Sequence, residues 1–222
     1  MSDQKSNVPW QWGSYSEAPK KLTRTSFSAD PIRLEKDGLE LASGVFIRLP
    51  EELANQFPQK EVDGSPPHLT LLYIGDLNRK DFERVGEIVR NIGRGLAPFE
   101  VVLDEFDVFT NPEGQQIPCM ATSDPVFLKK LHALIRKEVE NGGIDVSHIY
   151  GPDEDEDVDF EEGFTVHATL DYLDAGVDYE GPKPAGKFVV SNLELWGFGV
   201  VRIPMARDAR ALFAEGGESE GK

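Results

Sequence analysis

The stretch SPPHLTLLYIG, Ser65–Gly75, decides how the chain reads. Two prolines lead into a run of apolar residues and threonine, and a glycine closes it. That is the pattern of a loop entering a buried strand. Side chains at i and i+2 of a strand share a face. His68 and Thr70 are therefore expected on one side, with Leu69, Leu71 and Tyr73 on the other. A second stretch, FTVHATLDYL (Phe164–Leu173), reads as another strand with the same device: His167 and Thr169 in front, Ala168, Leu170 and Tyr172 behind.

Working outward, GVFIRLP (Gly44–Pro50) reads as a strand and Pro50 as the start of a short helix over PEELANQF. HLTLLYIG ends at Gly75 and Asp76. RKDFERVGEIVRNIG places Phe82, Val85, Ile88, Val89 and Ile92 at helical spacing, closed by Gly93. FEVVLDEFDVF (Phe99–Phe109) reads as one long strand, NPEG (Asn111–Gly114) as a turn, and IPCMAT (Ile117–Thr122) as its pairing strand. A second helix follows, with Asp124 as N-cap, Pro125 in the first turn and a stop at Gly142 or Gly143. Its stripe is Phe127, Leu131, Leu134, Ile135 and Val139. GKFVVSNLELWGFGVVRIPM reads as two strands meeting near Gly197 or Gly199. Strand–helix–strand order in each half, with one His-x-Thr strand per half, implies an α+β fold of two related lobes.

Residues 1–30 read as an irregular arm carrying Trp10, Trp12 and Tyr15, and residues 31–213 as a single bilobal domain. Within it, residues 150–163 form a densely acidic insertion expected to be a solvated loop. Residues 214–222 read as a disordered tail. The 222 residues suffice for one large domain or two small lobes with a real core. The formal net charge of −17 argues against long nucleic acid as a partner, since such binding rests on many Lys and Arg at phosphates. It leaves room for a small nucleotide in one local pocket. One cysteine, Cys119, allows no internal disulfide and suits a reducing, cytoplasmic setting. No apolar run has the length of a membrane span and no signal peptide is expected.

If the two His-x-Thr faces line one cleft, two imidazoles and two hydroxyls converge. A neutral ring can take a proton from a hydroxyl or water, and a charged ring can give one to a leaving oxygen. Hydroxyls and imidazole N–H groups can bind non-bridging phosphate oxygens. The set suits phosphodiester chemistry without a metal, best at a ribose 2′-oxygen ester. The rival for the same residues is a divalent ion held by the histidines and the acidic run, which lacks the ordered spacing of a calcium loop. His132 reads as a helix surface or boundary residue, and His148 has no partner pattern. Cys119 reads as a buried structural thiol. Arg48 and Arg202 could supply local positive charge, although solvent-facing arginines on a sheet are the better explanation of each. Phe46 and Trp196 are better placed than Tyr73 to meet a substrate, and read first as core.

PPHLTLLYIG and FTVHATLDYL resemble the two motifs of the two-histidine phosphoesterase superfamily. The helix at Asp124–Asn141 ahead of the second motif matches its usual order, and the likeness spans roughly residues 43–205. The resemblance implies two pseudo-symmetric antiparallel-sheet lobes with helices outside and a central cleft. It implies His68 and His167 as general acid and base, Thr70 and Thr169 as phosphate ligands, and no metal or other cofactor. Members include 2′,3′-cyclic phosphodiesterases, the so-called RNA 2′–5′ ligases of LigT type, 2′–5′ oligoadenylate phosphodiesterases and viral hydrolases of cyclic oligonucleotide signals. The expected substrate is thus a small nucleotide or short oligonucleotide. The alternative is a non-catalytic nucleotide-binding, sequestering or adaptor module on the same fold, with the N-terminal arm engaging a protein partner.

Overall fold

The computed structural model describes residues 41–58, 65–110, 114–146 and 165–206. The N-terminal arm, the acidic insertion, His148 and the tail lie outside these. The elements are β1 (Leu41–Arg48), α1 (Glu51–Ala54), β2 (His68–Leu77), α2 (Arg79–Arg94), β3 (Phe99–Leu103), β4 (Glu105–Thr110), β5 (Gln116–Ala121), α3 (Val126–Asn141), β6 (His167–Thr169), β7 (Gly186–Val190), β8 (Asn192–Gly197) and β9 (Gly199–Pro204). They form an α+β fold in which all paired strands are antiparallel. A four-stranded sheet has the order β2-β1-β8-β9, a three-stranded sheet β4-β5-β6, and a ribbon β3-β7.

Helices α2 and α3 pack on the four-stranded sheet, α2 against β8 and β9 and α3 against β2. The core between them holds Val45, Ile47, Leu69, Leu71, Leu193, Leu195 and Ile203 from the sheet and Val85, Val89, Leu131, Ile135 and Val139 from the helices. One face of this sheet is thus spent on the core. The other face carries His68 and Thr70.

Local chemistry explains where the elements depart from the expected ones. The apparent long strand at 99–109 is two strands in different sheets. Asp104 makes the switch, its carboxylate accepting from Ser123 N at 2.9 Å and Ser123 Oγ at 2.7 Å. Those bonds hold its pKa below the usual carboxylate value. The second His-x-Thr strand is only three residues long. Leu170 N still donates to Pro118 O at 2.8 Å, but Pro118 has no N–H to return. The last expected pair of strands is three, because β7 leaves to pair with β3 before β8 and β9 form a hairpin at Gly197 and Gly199. β2 runs on through Gly75, whose φ of 87° accommodates a register shift against Ser43 and Gly44. On α2, Gly95 rather than Gly93 is the C-cap.

Helix α3 also corrects the reading. Pro125 is its N-cap residue, not Asp124. Its buried stripe is Leu128, Leu131, His132, Ile135, Arg136 and Val139, while Phe127 and Leu134 are exposed. His132 is buried and donates from Nδ1 to the carbonyl of Leu71.

Candidate active site

The two motif strands sit in different sheets, β2 at the edge of the four-stranded sheet and β6 at the edge of the three-stranded one. They nonetheless lie beside each other, with Cα atoms within 8 Å. The structure therefore brings the two His-x-Thr motifs together. All four side chains belong to half-buried residues, while Leu69 and Ala168 between them are fully buried.

The imidazoles are held alike. His68 Nδ1 lies 2.9 Å from Pro66 O, and His167 Nδ1 lies 2.8 Å from Thr165 O. A carbonyl oxygen can only accept, so each Nδ1 carries a hydrogen, and in the neutral ring Nε2 is the basic atom. The two backbone carbonyls fix the tautomer and the ring plane together. Aromatic edges complete each setting. His68 packs against Phe46 at 4.9 Å and Trp196 at 4.8 Å between centroids, and His167 against Phe109 at 4.5 Å.

His167 keeps some solvent access, yet protein crowds it on most sides. Desolvation pushes its pKa below the ordinary histidine value, and the charge of His68 adds to that depression. The Thr165 carbonyl and Asp107 oppose it without reversing the direction. That repulsion is mutual, so it disfavours two charged rings at once.

The register of β2 overturns the placing of Tyr73. Thr70 pairs with Phe46, Leu72 with Val45 and Tyr73 with Gly44, so Leu71 is an extra residue with no partner on β1. A bulge of this kind shifts the alternation by one. Leu71 and Leu72 both point into the core at 0% exposure, and Tyr73, 38% exposed, emerges on the face of His68 and Thr70. Gly44 faces Tyr73 on one side and Trp196 on the other. A Cβ on Gly44 would stand 2.6 Å from Phe46 Cζ and 2.9 Å from Leu72 O. Gly44→Ala is therefore expected to cost about 1–3 kcal/mol of stability, as overpacking does, read as a lower denaturant midpoint at unchanged slope. Phe46 and Trp196 are 2% exposed and stack at 4.4 Å. They wall the site from beneath rather than offering a face to a ligand.

Arg48 and Arg202 are not simply solvated. Both pair with the buried Glu194 on β8, and Arg48 stands in register with His68. Cys119 is buried, and burial followed by the charge of Asp107 pushes its thiol up to about 12, so it is inert as a nucleophile.

Residues 32–119 match the family described as LigT like Phosphoesterase, a span that includes His68 and Thr70 and stops before His167. Among solved structures, the fold resembles E. coli LigT complexed with 3′-AMP at a TM-score of 0.51, with 17% identity over 75% of this chain and 95% of that one. It also resembles TT0787 of Thermus thermophilus at 0.51, with 23% identity over 69% of this chain and 86% of that one. No curated protein matches the chain in sequence. The family match over residues 32–119 and the shared fold both point to the two-histidine phosphoesterase superfamily as the class this chain resembles. Within it, the match is to the LigT-like phosphoesterases. No helix among the described residues is long and apolar enough to cross a membrane.

Proposed function

We propose that the chain is a metal-independent phosphodiesterase acting on a 2′-linked or 2′,3′-cyclic phosphate of a small nucleotide or short oligonucleotide. The observation that carries this reading is the pairing of two His-x-Thr strands side by side, each imidazole fixed through Nδ1 to a backbone carbonyl. E. coli LigT, similar in fold, has been solved with 3′-AMP.

His167 is assigned as general base, because desolvation favours its neutral form. For a 2′,3′-cyclic phosphate, its Nε2 takes a proton from water as the water oxygen bonds to phosphorus. The bond from phosphorus to one ribose oxygen breaks, and protonated His68 gives that oxygen its proton. Thr70 and Thr169 donate to the non-bridging oxygens, where charge grows. Release of the product leaves the proton on His167 rather than His68, and exchange with solvent restores the pair.

The test is hydrolysis of 2′,3′-cyclic nucleotides, 2′–5′ oligoadenylates and cyclic di- and trinucleotides in EDTA. Turnover of at least one in the chelator is expected, and loss of all turnover with recovery on adding a divalent ion would overturn the metal-free scheme. The pH profile gives a second check. A base with a depressed pKa stays neutral as the pH falls. The acidic limb of kcat/KM should therefore have its midpoint below 6.5, the ordinary histidine value. A midpoint above 6.5 would remove His167 from the role of base.

A further inference from the structure

The face of the four-stranded sheet that carries His68 also carries a charge cluster that the acid–base scheme does not use. Glu194 is 1% exposed. Its carboxylate accepts from Arg48 Nε at 3.0 Å, Trp196 Nε1 at 2.8 Å and Arg202 Nε at 3.2 Å. A carboxylate taken out of water needs pairing and hydrogen bonds, and a single guanidinium would balance its charge. Here there are two, so the cluster is net positive in a chain whose formal charge is −17.

Position gives that excess a direction. Arg48 is the register partner of His68 on the neighbouring strand. Thr70, Phe46, Glu194 and Arg202 form one row across β2, β1, β8 and β9. The Arg48 guanidinium sits 5.8 Å from the Trp196 ring centroid, and the same ring packs on His68. Glu194 and Trp196 thus fix the cation beside the imidazole. Both arginines engage Glu194 through Nε, which leaves four terminal N–H donors on each for other acceptors. The side chains are 30% and 69% exposed, within reach of a solute. Arg202 supplies the donor to Glu194 Oε1, while Arg48 and Trp196 both bond Oε2, and its charge goes beyond what one carboxylate balances. Two planar forks on one rigid carboxylate match the oxygens of a phosphate.

We infer that Arg48 and Arg202 form a subsite for a second phosphate of the substrate. The preferred substrate is then a nucleotide with a phosphate beyond the scissile one, as in an oligonucleotide or a 5′-phosphorylated cyclic phosphate, not a nucleoside 2′,3′-cyclic monophosphate. The inference rests on the phosphodiesterase reading of the same cleft, but binding can test it without turnover.

Calorimetry of the full chain with adenosine 2′-monophosphate, 2′,5′-bisphosphate and 3′,5′-bisphosphate reads the increment from a second phosphate. At least one bisphosphate is expected to bind about tenfold tighter or more than the monophosphate, the scale of a charge-assisted hydrogen bond. Arg202→Ala, at an exposed position, and Arg48→Ala should each cut that increment several-fold with little change in monophosphate affinity. Arg48→Lys should recover only part of it, because the planar fork is lost. Equal affinities for all three ligands, an increment that survives both alanine variants, or no binding of any ligand at millimolar concentration would each overturn the subsite. Absence of hydrolysis with the increment intact would instead count against the phosphodiesterase reading alone.

Discussion

Replacing either His68 or His167 by alanine should lower kcat on a responsive cyclic or 2′-linked phosphodiester by about 10²–10⁴-fold, the range that a positioned proton donor or acceptor supplies. Both rings are half-buried at a sheet edge, and their Nδ1 partners are backbone carbonyls of the preceding turn. Truncation removes ring contacts with Phe46, Trp196 or Phe109 but opens no closed cavity. The thermal midpoint should therefore move far less than the rate. Removing the base leaves water unactivated, and removing the acid leaves the ribose oxygen a poor leaving group. Because the two act in one transition state, the double alanine variant should lose little more than the worse single one. Rates within about tenfold of wild type in either folded variant would sink the pairing.

The alternation of SPPHLTLLYIG and FTVHATLDYL placed His and Thr on a common face, since that follows from strand geometry alone. The same alternation misplaced Tyr73, because it cannot see a bulge. The adjacent Leu71 and Leu72, both wanting the core, together with Gly75 downstream, were the available signal. The Arg48–Glu194 pair joins residues 146 apart in sequence, and no periodicity links them. On α3 the apolar spacing finds Leu131, Ile135 and Val139, but it adds the exposed Phe127 and Leu134 and passes over the buried Leu128, His132 and Arg136. Residue type alone favours Leu134 and Phe127 over a buried histidine and a buried arginine. What polarity hides in each case is a long-range partner: a carbonyl for His132, a carboxylate for Arg48.

His132 gives the second large effect, and it acts through the same bulge. Leu71 has no register partner on β1, and its carbonyl accepts from His132 Nδ1 out of α3. The helix thereby ties down the residue that shifts the alternation between Thr70 and Tyr73. Desolvation, with a smaller push from Arg136, lowers the His132 pKa from 6.5 to about 4. The unfolded chain then binds a proton between those values that the folded chain refuses. Folding stability from this group is intact above pH 6.5, falls as the pH drops through that window and stays lost below about 4. The gap corresponds to about 3 kcal/mol. Carboxylate protonation relieves repulsion in so acidic a chain over the same range, so wild type alone would not isolate the term. Denaturant titrations of wild type and His132→Leu at pH 7 and pH 4 do so. The leucine variant, which cannot titrate, should start lower at pH 7 by about 1 kcal/mol for the lost hydrogen bond. The stability of wild type relative to the variant should then fall by about 3 kcal/mol between the two pH values. A difference that stays constant with pH would mean that His132 does not refuse its proton. The carbonyl of Leu71 would then be holding a charged ring, and the bulge beside the site would owe its shape to something else.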